Sequence, residues 1–109
     1  MKKITFLFLV TLWINSQAQE KPLRIGVAGL THDHVNGILL GPGNGEFEIV
    51  GIAEPNKDLA IKYSQKFGFN MNLVYSTLEE MIAAKKPEAV AAFGSIYEHL
   101  RVVQICAPR

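Results

Sequence analysis

The chain has 109 residues, a formal net charge of +1 and 49% hydrophobic residues, which limits it to one domain at most. A charge so close to zero argues against a nucleic-acid-binding protein, because such proteins usually carry a clustered basic face. The single cysteine, Cys106, excludes an intramolecular disulfide. We interpret it as a small buried helix residue, with a reactive thiol as the alternative.

The first segment has the order of regions that is typical of a secretory signal peptide. Lys2 and Lys3 form a basic start, an apolar run covers residues 4–14, and Ser16 and Ala18 supply small residues two apart. As a helix the run would span roughly 16 Å, which is short for a hydrocarbon core of about 30 Å. We predict a signal peptide over residues 1–18 and an exported, periplasmic or secreted, domain over residues 19–109. An uncleaved anchor is the alternative, and we expect no stable membrane span after cleavage.

Short apolar runs then alternate with helical patterns along the chain. Asn56 can cap the second helix and Gly68 can end it. Ser76 and Glu79 have the spacing of a capping box at the start of the third helix, which stops before Pro87. The pattern predicts strands at 23–28, 47–53, 73–75 and 89–93 and helices at 34–40, 57–67, 78–85 and 97–107, with a loop at 41–45.

This alternation predicts an α/β fold of the Rossmann type, a doubly wound parallel sheet that is incomplete at its C-terminus. The apolar strands fit a sheet that is covered by helices on both faces. Ligands of such sheets bind at the carboxyl ends of the strands, so the turns that follow the strands are the candidate site.

The turn after the first strand offers one glycine of the three in the G-x-G-x-x-G dinucleotide fingerprint. Gly29 takes the first position, whereas Thr31 and His34 replace the second and third glycines. Thr31 can still offer a hydroxyl and a backbone N–H to a phosphate. His32, Asp33 and His34 could instead form a metal cluster, but residues two apart in a tight turn need not share a face. We expect no metal, with His32 lining the cofactor pocket and His34 capping or packing on the helix.

The turn after the second strand begins with Glu54, where a carboxylate would bind the ribose hydroxyls of a dinucleotide. Glu54 follows Gly29 at slightly more than the usual ~20 residues, because the glycine-rich loop lengthens the connection. An acid here repels a 2′-phosphate and favours NAD, while Lys57 nearby keeps NADP as an alternative. An exposed acid that only starts a turn is the structural alternative.

The last two turns carry weaker signals. Ser76 and Thr77 are explained by helix capping. After the fourth strand, Ser95 can cap a helix with Glu98 as its capping-box partner. His99, in the first turn or so of that helix, is either a substrate contact or proton carrier at the pocket edge or a surface histidine.

Taken together, the order and spacing of these segments resemble the N-terminal domain of the Gfo/Idh/MocA oxidoreductases. The resemblance covers essentially all of residues 23–109. The matching segments are LRIGVAG at 23–29, IVGIAEPN at 49–56, YSQKFG at 63–68, YSTLEEM at 75–81 and PEAV at 87–90.

The resemblance implies a Rossmann domain that is followed by a second α/β domain and uses NAD or NADP on sugars, cyclitols and related polyols. It places Gly29, Thr31 and His32 along the pyrophosphate and Glu54 on the ribose. It also places Ser95 and His99 in the turn that runs beside the nicotinamide. The family's Glu-Lys-Pro motif and its later catalytic histidine or aspartate have no counterpart here, so we assign no catalytic residue and interpret the chain as truncated.

We therefore predict the cofactor-binding part of an exported NAD(P)-dependent oxidoreductase that transfers hydride to or from sugar-like substrates, and that can form a homo-oligomer. An NAD-dependent glycoside hydrolase of the same fold is one alternative. The other is a non-catalytic Rossmann-like binding module that has lost the cofactor.

Overall fold

The computed structural model describes residues 20–41 and 44–109, so the signal peptide predicted at residues 1–18 lies outside the described residues. In the described part, four strands alternate with four α-helices. The elements are β1 (Leu23–Ala28), α1 (Val35–Leu39), β2 (Phe47–Ala53), α2 (Lys57–Phe67), β3 (Val74–Tyr75), α3 (Leu78–Lys85), β4 (Ala89–Ala92) and α4 (Ile96–Cys106), with a 3-10 helix at Met71–Leu73.

The four strands form one parallel sheet in the order β3-β2-β1-β4. The chain builds the sheet outward from β1 to β3 and then crosses to the other side of β1 to add β4. The point where strand order reverses therefore lies between β1 and β4, which is where doubly wound sheets bind ligands. The predicted α/β fold with a Rossmann-like parallel sheet is confirmed.

One face of the sheet is packed by α1 and α2 around fully buried apolar side chains. Val27 of β1 and Ile52 of β2 meet Leu30, Val35 and Ala60 in this cluster. Because side chains alternate along a strand, the neighbours of Val27 and Ile52 face the other side of the sheet.

Two glycines lie on that second face, and α3 packs closely against them. Gly26 and Gly51 are register partners on β1 and β2, and the fully buried Met81 of α3 lies across the pair. A Cβ atom on Gly26 would lie 2.6 Å from Met81 Cε, and one on Gly51 would lie 2.7 Å from Met81 Cγ. A side chain at either position would therefore displace the Met81 side chain from where it lies now.

Most helix ends lie where the sequence predicts them. The Asn56 side chain accepts the Leu59 N–H at 3.1 Å, and Gly68 ends α2. The cap of α3 differs from the prediction, because Thr77 rather than Ser76 is the N-cap and accepts the Glu80 N–H at 3.2 Å. The prediction was wrong by one residue because Ser76 and Thr77 are each followed by a glutamate at capping-box distance.

Other boundaries shift by about a residue. Leu73 belongs to the 3-10 helix rather than to β3, and Phe93 follows β4 instead of ending it. The last helix begins at Ile96 and ends at Cys106, one residue earlier at each end than the pattern predicts.

Candidate functional site at the carboxyl ends of the strands

A cleft of about 360 Å³ opens at the carboxyl edge of the sheet. Residues from the ends of β1 and β2 and from the turns after β3 and β4 line it, and α4 closes one side. The polar residues and glycines in its lining are Gly29, Thr31, Glu54, Ser76, Thr77, Glu79, Gly94, Glu98 and Arg101. The structure thus brings together Gly29, Thr31 and Glu54 from the predicted site.

The turn after β1 packs closely against the turn after β4. Gly29 has φ +85°, and a Cβ atom on it would lie 2.9 Å from the Gly94 nitrogen. This conformation and this close approach both exclude a side chain at residue 29. The His32 N–H donates to the Phe93 carbonyl oxygen at 2.9 Å, which fixes the far side of the same turn.

The Glu54 carboxylate joins two of the turns. The side chain is buried, with 4% of the residue exposed. Its Oε2 accepts the Leu30 N–H at 2.8 Å, and its Oε1 accepts the Asn56 N–H at 2.8 Å. Glu54 is therefore a structural bridge between the first and second turns, and its oxygens keep acceptor capacity beyond these two bonds.

Most backbone donors of the first turn are already paired within the protein. The Gly29 N–H donates to the Ala53 carbonyl oxygen at 2.8 Å, and Leu30 and His32 are paired as described above. The exposed Thr31 hydroxyl donates to the Phe93 carbonyl oxygen at 3.3 Å, a long bond that a ligand can replace. Thr31 therefore offers a ligand a donor from this turn.

Arg101 is the one cation among the described residues that line the cleft. Its guanidinium donates to Glu79 Oε1 at 3.0 Å and has further N–H donors, because a guanidinium carries five. A hydrogen bond from its own backbone and the contact with Arg101 hold the pKa of the exposed Glu79 carboxyl below its usual value. Glu79 is thus a charged partner for Arg101 at neutral pH.

Ser95 is the N-cap of α4, as the sequence predicts. Glu98 accepts the Ser95 N–H at 2.6 Å, which is the carboxylate half of the expected capping box. Ser95 and His99 are exposed. Gly94 and Glu98 line the cleft from this part of the chain. Ser95 and His99 are not among the described residues that line it.

His32, Asp33 and His34 lie together on the outside of the first turn, and all three are exposed. The His32 Nδ1 atom lies 3.3 Å from Asp33 Oδ1, and the two imidazole rings meet edge to face with centroids 4.5 Å apart. His32 is not among the described residues that line the cleft. His34 occupies the N-cap position of α1, but its side chain makes no capping hydrogen bond.

The sequence missed the residues that α3 and α4 contribute to the cleft. Thr77 was explained by capping alone, yet it also lines the cleft, as its place after β3 could have indicated. The sequence pattern assigned Glu79 only a capping role and Arg101 none, and the packing of α4 beside α3 brings the two side chains together in the lining.

Cys106 lies in the last turn of α4 and is partly rather than fully buried, which corrects the predicted buried position. Burial raises the pKa of its thiol, while Arg109 acts in the opposite direction. A raised pKa lowers the thiolate fraction at neutral pH, which argues against the reactive-thiol alternative.

A comparison of the chain with models of known families, with curated proteins and with solved structures finds no significant match in any of the three. The resemblance to the Gfo/Idh/MocA oxidoreductases stays a prediction from the residues. Among the described helices, each falls short of the length and apolarity that crossing a bilayer requires.

Proposed function

We propose that the cleft binds a nicotinamide adenine dinucleotide and that the chain is the cofactor-binding part of an exported oxidoreductase. The observation that supports this best is the position of the cleft. It lies at the carboxyl edge of a β3-β2-β1-β4 sheet, beside the reversal point between β1 and β4. Gly29, Thr31 and Glu54 surround it at the positions expected for such a cofactor.

The donors in the lining favour Thr31 and Arg101 as the partners of the pyrophosphate. The N–H groups of Gly29 and Leu30 are paired internally, whereas the Thr31 hydroxyl makes only a long hydrogen bond and Arg101 has spare donors. A guanidinium matches phosphate oxygens well, because its planar fork can donate two parallel hydrogen bonds. Binding would draw Arg101 partly away from Glu79.

Glu54 supports NAD over NADP. Its carboxylate ends β2 and is held in place by two backbone N–H groups, so it cannot turn away from a phosphate on the ribose. The remaining acceptor capacity suits ribose hydroxyls, whereas a 2′-phosphate would meet a fixed negative charge.

When bound, the nicotinamide would supply hydride transfer at a carbinol carbon of a sugar or related polyol. The residues of this chain would bind and orient the cofactor. Gly29 would allow the turn to reach the pyrophosphate, and Glu54 would set the ribose position. We propose no catalytic residue among the described ones.

The test is a calorimetric titration of the purified protein with NAD and with NADP. We expect Thr31→Glu to weaken NAD binding at least about tenfold, because it places a carboxylate beside the pyrophosphate at a distance where repulsion amounts to a few kcal/mol. Gln65→Glu on the exposed side of α2 is the matched control, since it adds the same charge away from the cleft. We expect the control to bind like the parent protein and NAD to bind more tightly than NADP.

A non-catalytic module without cofactor is the second candidate. The internal pairing of the first-turn N–H groups favours it, as does the presence of three carboxylates, Glu54, Glu79 and Glu98, in the cleft lining. Failure of NAD and NADP to bind the parent protein at millimolar concentration would favour this candidate and refute the first.

A further inference from the structure

We propose that His32, Asp33 and His34 form a binding site for one divalent transition-metal ion of the kind that prefers imidazole, such as Zn²⁺. Each of the three residues offers one ligand atom, and these atoms all lie within 4.8 Å of one another. Two imidazoles and a carboxylate are a ligand set that zinc sites use. The site lies outside the cleft and does not depend on dinucleotide binding.

The separations are close to those of a formed site. Ligand atoms at the usual zinc distances of about 2.0–2.1 Å stand roughly 3.3 Å apart around a tetrahedral ion. The His32 Nδ1 and Asp33 Oδ1 atoms are already 3.3 Å apart. The remaining pairs need at most about 1.5 Å of movement, which exposed side chains achieve by changes of rotamer.

The electrostatics of the cluster also favour a cation. His32 Nδ1 and Asp33 Oδ1 lie 3.3 Å apart, so a ring nitrogen and a carboxylate oxygen stand side by side. The His34 N–H lies 3.3 Å from the same nitrogen, a long hydrogen bond that an ion could replace. An ion between the two side chains would gain a nitrogen and an oxygen ligand together with the charge of the carboxylate.

The backbone around the cluster is fixed before any ion binds. The His32 N–H is bonded to Phe93, and the Val35 N–H donates to the His32 carbonyl oxygen at 3.1 Å. Leu30, two residues before His32, is fully buried. An ion would therefore order only three side chains, which keeps the entropic cost of binding small. Three protein ligands leave a coordination position for water or an oxygen-bearing ligand.

The test is a titration of the tag-free, chelator-treated protein with Zn²⁺ by calorimetry and with Co²⁺ by visible absorption. We expect one ion per chain and a Co²⁺ spectrum of tetrahedral or five-coordinate type. His32→Gln and His34→Gln should each weaken binding by at least tenfold, because loss of a direct ligand exceeds the 10–100-fold effects seen for supporting residues.

The chain has three histidines and one cysteine, so the controls are complete. His99→Gln removes the other exposed imidazole and Cys106→Ser removes the thiol, and both should bind like the parent protein. Absence of Zn²⁺ binding at millimolar concentration would overturn the proposal. So would equal binding by the His32 and His34 variants, or loss of binding in the His99 or Cys106 variant alone.

Discussion

Glu54 shows how one side chain can couple two turns of the candidate site. Its position at the end of β2 is readable from the sequence, because the apolar run stops at Ala53 and Pro55 follows. Its burial and its hydrogen bonds to Leu30 and Asn56 could not be predicted from the sequence, because they depend on where the first turn lies in space. A sequence pattern predicts that a carboxylate stands at this edge, but only the packed turns decide which donors it meets.

Replacement of Glu54 by glutamine should therefore destabilise the fold. An amide has one acceptor oxygen, so one of the two backbone N–H groups would face an NH₂ group instead. We expect Glu54→Gln to lower the free energy of unfolding by about 1–3 kcal/mol, measured by urea denaturation. Glu48→Gln on the same strand is the control, because the Glu48 side chain is 54% exposed and its 4.0 Å contact with Arg24 contributes little. Equal losses in the two variants would contradict the structural role of Glu54.

At the scale of the elements, the sequence predicts most of the fold because α2 and α3 have clear start and stop signals. Asn56 and Gly68 delimit α2, and the predicted bounds of β1, β2, α2 and α3 agree with the structure. The close packing of Met81 on Gly26 and Gly51 could not be predicted, because it needs the register of β1 with β2. The cap of α3 was misassigned because local spacing allows two alternatives, of which the structure uses Thr77.

That selection can be tested by a pair of alanine variants. Thr77→Ala removes the oxygen that accepts the Glu80 N–H, so we expect the free energy of unfolding to fall by about 1 kcal/mol. Ser76→Ala changes the adjacent exposed hydroxyl, and its effect should stay within about 0.5 kcal/mol. Urea denaturation of both variants against the parent protein provides the measurement. A larger loss of unfolding free energy for Ser76→Ala than for Thr77→Ala would instead support Ser76 as the cap, as the sequence alone predicted.

At the scale of the molecule, four of the six exposed large apolar side chains of residues 20–41 and 44–109 lie on α4. Ile96, Tyr97, Leu100 and Val103 are each at least 60% exposed, and α4 contributes no fully buried residue to the described structure. The sequence predicts a helix here, but not that these four side chains are exposed while Val102 and Ile105 line the cleft. The same helix carries Arg101 to the cleft, so its placement affects both the surface and the candidate site.

An exposed apolar stripe of this kind promotes association of protein molecules in water. We expect the purified protein to sediment as a concentration-dependent mixture of monomer and larger species. The double variant Leu100→Glu and Val103→Glu should shift it toward monomer, because each carboxylate would have to be desolvated in a contact through α4. Leu40→Glu is the control, since Leu40 is 76% exposed but follows α1. If the parent protein is monomeric at every concentration, or if Leu40→Glu disperses it equally well, α4 is not the associating surface.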